Sequence, residues 1–448
     1  MMHAHHETPK ARGVIFWTAV LALFGAGLAA SLRAAVAGDI RRTYLDPIDF
    51  TRSATMIAEA LGVAFLGFTA MLIVSSALLD KVGMKRMLYV AVACFLGSAF
   101  LLTFAGALGE GMTIYWLIMA GMFVSGLAHG AVEGTINPLV GALYPEDKTH
   151  RMNVLHAWWP AGLVAGSLLG AFGGQIGIDW RVIFASTAVC AVVLGFMMVG
   201  RQFPVTASRA IGVPVREQCM EVVRRPSFLI WFALMLFTSA TELAPSQWVD
   251  VALTNVVGMR GILLIAYLAA IMFVGRHFAG PLERRLSTEG LLTMSCILAA
   301  IGLYLLGSAN SPVTALLATT VWGVGVCFLW PTMIAVAAER YPRGGAVTIG
   351  LIGVAGSIST YFILPVLGAI YDRARIDAAG GAEALAQLSE EQMQSVLVFA
   401  AGESFRAVAL IPAALFIIFG LMWASRAQLR WSPGLNVQQR EAAKFGGT

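Results

Sequence analysis

The sequence predicts an all-α membrane protein whose 12 transmembrane helices form two six-helix bundles related by pseudo-symmetry. Three observations predict it. Of the 448 residues, 58% are hydrophobic and only 12% are charged, twelve apolar segments are long enough to cross a bilayer, and the two halves share a repeat. A soluble domain carries about 25% charged residues, so this composition excludes a surface solvated by water.

A transmembrane helix needs about 20 apolar residues, and twelve segments meet that requirement. Numbered as spans one to twelve, they are roughly 13–38, 54–79, 87–108, 113–143, 152–176, 181–200, 227–256, 259–283, 290–308, 312–340, 346–371 and 404–426. The chain divides accordingly into a tail, a first bundle, a central loop, a second bundle and a final tail, at 1–12, 13–200, 201–226, 227–426 and 427–448.

The 372–403 connection is the second long one, and its acidic and small residues predict a solvated loop. Within it, Ser389-Glu390-Glu391-Gln392 has the pattern of a capping box, which predicts the start of a short helix.

The distribution of lysine and arginine predicts the orientation in the membrane. With a cytoplasmic amino terminus, the inside segments hold 20 of the 30 basic residues and the outside segments hold 8. Positive residues concentrate on the cytoplasmic side, so we expect both termini to be cytoplasmic in a plasma (inner) membrane. The net charge of +5 is then a topology signal, and no nucleic-acid partner is expected.

Enzymatic and metal-binding motifs are missing from the sequence. The five cysteines have no CxxC spacing or paired framework, and no HExxH, GxSxG or nucleotide-binding loop occurs. We therefore expect no enzymatic activity, no cofactor and no metal. A solute sensor with a transporter fold is the non-transport alternative, although the loops are too short to form a signalling domain.

The repeat relates spans four and ten. Gly126 and Tyr144-Pro145 recur as Gly323 and Tyr341-Pro342, with both pairs offset by 197 residues. Two six-span halves in parallel repeat, joined by a basic central loop, are typical of a transporter that works by alternating access, with its site between the halves.

The loop after span two resembles the D-R-x-G-R-R loop motif of the major facilitator superfamily. Residues 79–86 read L-D-K-V-G-M-K-R, and the counterpart at 280–285 is degenerate. A tight turn at Gly83 places Asp80 and Arg86 at the cytoplasmic ends of two helices. The resemblance implies that Asp80, Gly83 and Arg86 form a conformational latch between the halves.

Residues 133–162 resemble the fucose/sugar:proton symporter branch of that superfamily. In this branch a glutamate within the membrane precedes Asn-Pro, and a basic loop and a second asparagine follow. The resemblance implies that Glu133, Asn137 and Asn153 take the family's places. Span one departs from the branch, because it has no carboxylate and carries Arg33 near its outer end instead.

Glu133 is the strongest candidate for proton coupling. An ionisable side chain near the middle of a bilayer costs roughly 2.5–3.5 kcal/mol, so its presence indicates a function. His129, Glu133 and Asn137 recur every four residues on one face of span four. We expect Glu133 to carry or gate a proton, and His129 and Asn137 to contact the solute. The alternative for Glu133 is a structural hydrogen bond to a neighbouring helix.

Span seven holds a second acidic candidate. Glu242 is predicted to bind a proton or the solute, with a helix–helix contact as the alternative, and Pro245 frees backbone groups that can line a cavity. Gln247 and Trp248 are expected to contact a polar solute. Asp250 lies nearer the outer end, where we expect it to be solvated.

Spans five and ten supply further candidates. Asn153 and His156 share one face of span five, although a satisfied histidine packed between helices is the favoured alternative for His156. Of Trp158 and Trp159, one borders the solute and the other faces lipid, and we assign Trp159 to the solute. Trp330 in span ten is assigned to substrate binding, with packing as the alternative.

Arginines inside the spans require partners. Arg276 in span eight needs Glu242 or an anionic solute, unless it snorkels to the cytoplasmic face, and Arg33 has the same alternatives on the other side. The spacing of Gly126, Gly130 and Gly134 predicts close helix packing.

These residues favour proton-coupled uptake of a sugar or a similar small polar solute. The alternatives are export of amphipathic compounds and, if Arg33 or Arg276 faces the cavity, transport of small organic anions. The expected partners are a small-molecule substrate, protons and the lipid bilayer, and the protein is expected to be a monomer.

Overall fold

The computed structural model describes residues 9–144, 148–205, 224–276, 279–341 and 345–428, together with positions 216, 220 and 222. These residues form fifteen α-helices and no β-strand. The first half contains α1 (Pro9–Ile40), α2 (Ser53–Val82), α3 (Met84–Leu108), α4 (Met112–Leu143), α5 (Lys148–Gln175), α6 (Trp180–Ala185) and α7 (Thr187–Met198). The second half contains α8 (Pro226–Leu253), α9 (Ile262–Arg276), α10 (Ala279–Leu306), α11 (Pro312–Val326), α12 (Leu329–Arg340), α13 (Gly345–Ala379), α14 (Ala382–Leu385) and α15 (Glu390–Gln428).

The helices confirm the predicted fold class. Eleven segments of the described residues are long and apolar enough to cross a membrane, and α9 is a shorter apolar helix at the position of span eight. Span six consists of α6 and α7, and span ten consists of α11 and α12.

The two halves pack their helices in the same pattern. In the first half α1 packs on α5, and α4 packs on both α2 and α3. In the second half α8 packs on α13, and α11 packs on both α9 and α10. The span numbers of each second-half pair are six higher than those of the corresponding first-half pair. Between the halves, α2 packs on α13 and α5 packs on α9. Because span two is equivalent to span eight and span five to span eleven, the pseudo-symmetry relates one of these contacts to the other.

The repeated tyrosines have matching environments. Tyr144 (φ −131°, ψ 63°) and Tyr341 (φ −129°, ψ 58°) end α4 and α12 with nearly identical backbones. Each precedes a proline in the sequence, and a residue in that position is disfavoured in the helical region. The Tyr144 ring packs edge-on against Phe16 at 5.7 Å, and the Tyr341 ring packs edge-on against Phe228 at 5.4 Å.

The glycines of α4 permit close packing, as predicted. A Cβ atom on Gly126 would overlap the backbone carbonyl of Ala64 in α2, and one on Gly130 would overlap the carbonyl of Phe68. These two helices therefore meet backbone to backbone.

Two turns with positive φ connect neighbouring spans. Gly83 (φ 86°) joins α2 to α3, which is the tight turn predicted there. Ser287 (φ 66°, ψ 168°) interrupts α10 at the equivalent connection between spans eight and nine. We call the end of the molecule that carries both turns the basic face, and the other end the opposite face.

The 372–403 connection is mostly helical and not the predicted loop, although most residues from 377 to 399 are exposed, as expected of a solvated segment. The described helix α13 continues to Ala379, and α15 begins at Glu390. Two charged residues at the start of the segment, Asp372 and Arg375, are buried within α13 and pair at 3.1 Å. The predicted capping box does form, since the backbone N–H of Gln392 donates to Ser389 Oγ at 3.3 Å, but it starts the 39-residue α15 instead of a short helix.

Hydrogen bonds between the halves close the opposite face. The backbone N–H and the hydroxyl of Thr55 in α2 donate to Asp372 Oδ2 of α13, at 2.7 and 2.8 Å. Arg260, in the connection between α8 and α9, donates from Nη2 to the carbonyl of Ala35 in α1 at 2.8 Å. Nearer the middle of the molecule, the hydroxyls of Thr69 and Ser357 lie 2.7 Å apart.

Candidate functional site

A row of four polar side chains joins α4 to α5, and we call it the polar chain. It consists of His129, Glu133 and Asn137 on α4, and His156 on α5. Asn137 Nδ2 donates to Glu133 Oε2 at 3.2 Å, and Asn137 Oδ1 lies 2.8 Å from His156 Nε2. His129 Nε2 lies 4.0 Å from Glu133 Oε1. The three α4 residues predicted from their spacing therefore lie in one row, and His156 extends it.

Exposure rises along the polar chain toward the basic face. The His129 side chain is 13% exposed and that of Glu133 is 21% exposed, and His156 is exposed. Pro138 and Pro160 lie inside α4 and α5, beside the chain. Because proline has no N–H to donate, each one removes a backbone hydrogen bond next to these side chains.

An aromatic ring covers the inner end of the polar chain. Trp159 stacks on the His129 ring with centroids 4.7 Å apart and planes at 21°, and Phe68 packs against the same ring at 4.5 Å. Trp158 instead packs edge-on against Trp17 of α1 at 5.6 Å, and Trp17 is half exposed. Trp159 is thus the tryptophan beside the polar chain.

Arg33 lies one helical turn beyond His129, away from the basic face. Its side chain is buried, and Nη1 donates to Ser125 Oγ of α4 at 2.7 Å. Arg33 Nε has no hydrogen-bond partner among the described residues. Arg33 therefore does not snorkel to the surface. Sequence reasoning missed Ser125, although it precedes His129 by the same four-residue spacing.

A second cluster joins α8, α9 and the break between α11 and α12. Arg276 Nη2 lies 3.9 Å from Glu242 Oε1, so the predicted pair is brought together. Arg276 Nε donates to the carbonyl of Cys327 at 3.4 Å. This carbonyl is available because its helical partner would be the N–H of residue 331, which is Pro331. Glu242 Oε2 has no partner within the described part of the chain.

The backbone group freed by Pro245 is used for packing. Pro245 cannot donate to the carbonyl of Thr241, and the indole N–H of the buried Trp322 donates to it at 3.2 Å. The expectation that this group lines a cavity is therefore wrong.

Gln247 and Trp248 lie in different environments. Gln247 is buried, and its Oε1 has no hydrogen-bond partner among the described residues. Trp248 is fully buried, and its Nε1 donates to Ser404 Oγ at 3.3 Å. Trp248 therefore packs inside the second half, which contradicts the expected contact with a solute.

Asp250 is buried, so the expectation that it is solvated is wrong. Its Oδ1 accepts hydrogen bonds from the backbone N–H of Ile262 at 2.7 Å and from Thr254 Oγ1 at 2.9 Å, and its Oδ2 lies 3.6 Å from Arg260. The carboxylate is buried because it binds the first N–H of α9 and pairs with a cation.

Trp330, Asn153 and the residues of the predicted latch complete the set of predicted site residues. Trp330 is partly exposed and packs over Gly356 of α13. The side chains of Asn153 and Asp80 lie outside the described residues. Arg86 is exposed beside the Gly83 turn. The latch of Asp80, Gly83 and Arg86 stays a prediction.

The arrangement supports ion and solute binding. Among the described residues no group of histidine, cysteine, aspartate or glutamate side chains is placed to hold a metal ion. Glu133 is a carboxylate that Asn137 bridges to an exposed histidine, so a titratable group lies at each end of the bridge. Arg33 holds a positive charge beyond it.

Two curated proteins are similar in sequence. The chloramphenicol resistance protein of Streptomyces lividans is 28% identical over 276 residues, which cover 58% of this chain and 66% of that protein. The class E tetracycline resistance protein of Escherichia coli is 25% identical over 135 residues, which cover 29% of this chain and 31% of that protein. The chain is thus matched over less than two thirds of the length of either relative.

Solved structures share the fold over nearly the whole chain. A D-xylose-proton symporter has a TM-score of 0.72 at 13% identity, covering 90% of this chain and 97% of its own. A bacterial homologue of the human lysosomal transporter Spinster, in an inward-facing and unoccupied conformation, has a TM-score of 0.73 at 17% identity, covering 96% and 100%. Residues 14–365 match the Major Facilitator Superfamily. The chain is therefore an integral membrane protein that belongs to the Major Facilitator Superfamily, and it is a transporter and not an enzyme.

Proposed function

We propose that the chain is a proton-coupled transporter of a small polar solute, with uptake of a sugar as the first candidate and Glu133 as the proton carrier. The observation that carries the proposal is the bridge made by Asn137, which hydrogen-bonds Glu133 with its amide nitrogen and His156 with its amide oxygen. This bridge connects a carboxylate inside the membrane with an exposed titratable group.

Proton binding changes what Glu133 offers its neighbours. Ionised, it accepts a charge-assisted hydrogen bond from Asn137 and lies near His129. Protonated, it becomes a neutral donor, and Asn137 loses its anionic partner. The amide is then free to turn toward a solute, so proton binding and solute binding share one side chain.

The solute site in this proposal draws on both halves. His129, Asn137, Asn153, His156 and Trp159 belong to the first half, and Glu242, Gln247, Arg276 and Trp330 belong to the second. The buried, unpartnered oxygens of Glu242 and Gln247 support the second group. Glu242 is the second proton site of the proposal.

The opposite face is closed by Asp372 and Arg260, so a solute reaches this region from the basic face. We propose that the basic face is cytoplasmic, that both termini lie there, and that the protein works as a monomer in the inner membrane. The surplus of basic residues in the segments of that face supports this orientation.

Replacement of Glu133 by glutamine tests the proposal in proteoliposomes. With radiolabelled D-xylose, D-glucose, L-fucose and D-glucuronate as probes, wild-type protein should accumulate at least one of these solutes against its gradient when a proton gradient is imposed. Glu133→Gln should abolish this accumulation and retain sugar exchange in the absence of a proton gradient, because the amide keeps the polar contacts and carries no proton.

Glu403→Gln is the matched control, since Glu403 is an exposed glutamate that pairs with Arg406 at 3.3 Å. The control should accumulate sugar like the wild type. The proposal fails if Glu133→Gln accumulates sugar normally, or if wild-type accumulation of every probe ignores the proton gradient.

Export of an amphipathic compound is the second candidate, favoured by the two curated relatives, both of which are named for antibiotic resistance. Cells that express an exporter should accumulate less labelled chloramphenicol or tetracycline than cells that carry an empty vector, and a proton uncoupler should remove the difference. Equal drug levels in the two cell populations would leave uptake as the function.

A further inference from the structure

We propose that Arg33 binds an anionic group of the transported solute, so that the substrate is a small organic anion, with a carboxylate as the group recognised. This inference rests on the proposed function and names the substrate class for the same site. It follows from the burial of Arg33, from the partners that its guanidinium has, and from its place between the polar chain and the closed opposite face.

The guanidinium of Arg33 is buried without a counter-charge. Arg33 is 2% exposed, and the hydrogen bond to Ser125 Oγ connects it to a neutral hydroxyl. No carboxylate of the described residues forms an ion pair with it, and its Nε has no acceptor. Burying a charge in this way is costly unless an opposite charge arrives.

The buried arginine of the opposite face shows what compensation looks like in this fold. Arg375 is also 2% exposed, but its Nη1 lies 3.1 Å from Asp372. Its guanidinium additionally lies over the ring of Phe50, 5.0 Å from the centroid. Nε has no partner among the described residues in either arginine, so the two differ in the carboxylate, which Arg33 lacks. A carboxylate supplied by a ligand would complete the pair.

Arg33 lies where a solute entering from the basic face would stop. The polar chain comes first, and its His129 is one turn from Ser125, the partner of Arg33. Two residues further along α1, the carbonyl of Ala35 accepts from Arg260 at the closed end. A solute bound here meets hydrogen-bonding groups at one end and a cation at the other.

The chemistry of the guanidinium selects the anion. Its N–H donors form a planar fork that matches the two oxygens of a carboxylate, and it stays charged at every physiological pH. Nε is the unsatisfied donor of that fork in Arg33. The side chains of the polar chain suit the hydroxyls of the rest of the molecule. The expected class is therefore a hydroxylated carboxylic acid, such as a sugar acid.

Matched pairs of probes test the inference on the purified full-length protein in detergent. D-glucuronate with D-glucose and mandelate with phenylethylene glycol differ chiefly in the carboxylate. The melting temperature of the protein should rise in the presence of at least one acid and should not rise with the neutral partner of that acid. The same acid should support counterflow in proteoliposomes, a measurement that needs no proton gradient.

Variants assign the effect to Arg33. Arg33→Gln should weaken binding of the acid at least about tenfold, since a hydrogen bond to a charged group is lost. Arg33→Lys keeps the charge and loses the fork, so it should bind the acid with intermediate affinity. If Arg33→Gln fails to fold, Arg33→Lys remains as the test of the same residue. Ser125→Ala changes only the neutral partner and should retain acid binding. Arg406→Gln, at an exposed ion pair, should behave like the wild type.

The inference is overturned if no acid stabilises the protein, if neutral partners bind as well as the acids, or if Arg33→Gln and Arg33→Lys both bind the acid unchanged. Its failure is separate from that of proton coupling. Proton-driven uptake of a neutral sugar that Arg33→Gln leaves intact would retain the proposed function and reject the anion. Counterflow of an acid whose net accumulation is unchanged by an imposed proton gradient would retain the anion and reject proton coupling.

Discussion

The two halves of the molecule share a helix arrangement but differ in how they treat buried charge. In the second half Arg276 faces Glu242, Arg260 faces Asp250 and Arg375 faces Asp372. In the first half the buried Arg41 lies 3.8 Å from Asp46 at the opposite face. Nearer the polar chain, however, the buried Arg33 bonds a serine hydroxyl, and Glu133 bonds the amide of Asn137.

This difference indicates a division of labour. A carboxylate and an arginine that pair with each other satisfy their charges within the fold. A carboxylate and an arginine that contact only neutral groups or a titratable histidine remain available to ions from outside. The first half therefore carries Glu133 and Arg33, the principal groups that we assign to the proton and the solute. The second half also contributes to the proposed site, but its Glu242 and Arg276 compensate each other's charge.

The largest expected effect compares equivalent glycines of the two repeats. Gly126→Ala forces a methyl group into the backbone of α2 and should lower the free energy of unfolding by about 3 kcal/mol. A Cβ on Gly323 meets the end of the flexible Leu268 side chain at 3.0 Å, so Gly323→Ala should cost less than about 1 kcal/mol. Thermal unfolding in one detergent measures both.

Gly97→Ala is the control for the loss of a helical glycine, because its Cβ would make only an ordinary contact with Val124 at 3.7 Å. Equal melting temperatures for the Gly126 and Gly323 variants would show that α4 packs no more tightly than its counterpart.

A smaller effect tests the contrast in charge directly, with no solute present. Arg276→Met leaves Glu242 without its cation and should destabilise the protein by about 2 kcal/mol, below the value for a fully buried pair because the Arg276 side chain is 28% exposed. Arg33→Met removes a charge that has no counter-charge among the described residues, so its melting temperature should stay the same or rise.

The double variant Arg276→Met with Glu242→Gln should recover most of the lost stability, since it removes both charges. The division of labour is wrong if Arg33→Met destabilises the protein as much as Arg276→Met does.

The smallest effect concerns the turns of the basic face. Gly83→Ala puts a side chain on a backbone with φ 86° and should cost about 1 kcal/mol, although space is available there. Ser287→Gly relieves the equivalent strain and should stabilise the protein by a similar amount. Melting temperatures that move in opposite directions confirm the equivalence, and a drop for Ser287→Gly contradicts it.

Much of the fold could be predicted from the sequence because the bilayer imposes its own rules. Span length, the glycines of α4 and the turn at Gly83 each follow from a local requirement that a single segment displays. The continuation of α13 past Asp372 could not be predicted, because it depends on Thr55, more than three hundred residues away.

The site was predictable in part for the same reason. The residues His129, Glu133 and Asn137 share a helix face, which periodicity displays directly. The bridge from Asn137 to His156 depends on how α4 and α5 pack, and the burial of Asp250 depends on where α9 starts. Neither relation is encoded in the spacing of one segment.

The contact between Thr55 and Asp372 has a consequence for the start of α2. The residue before that helix, Arg52, provides no side-chain cap, and Asp372 from the other half accepts the backbone N–H of the third helical residue in its place. In the alternating-access cycle that the sequence predicts, separation of the halves at the opposite face would remove this cap from α2. The stability of the first turn of α2 would then depend on the conformational state, with water replacing the carboxylate whenever that face opened.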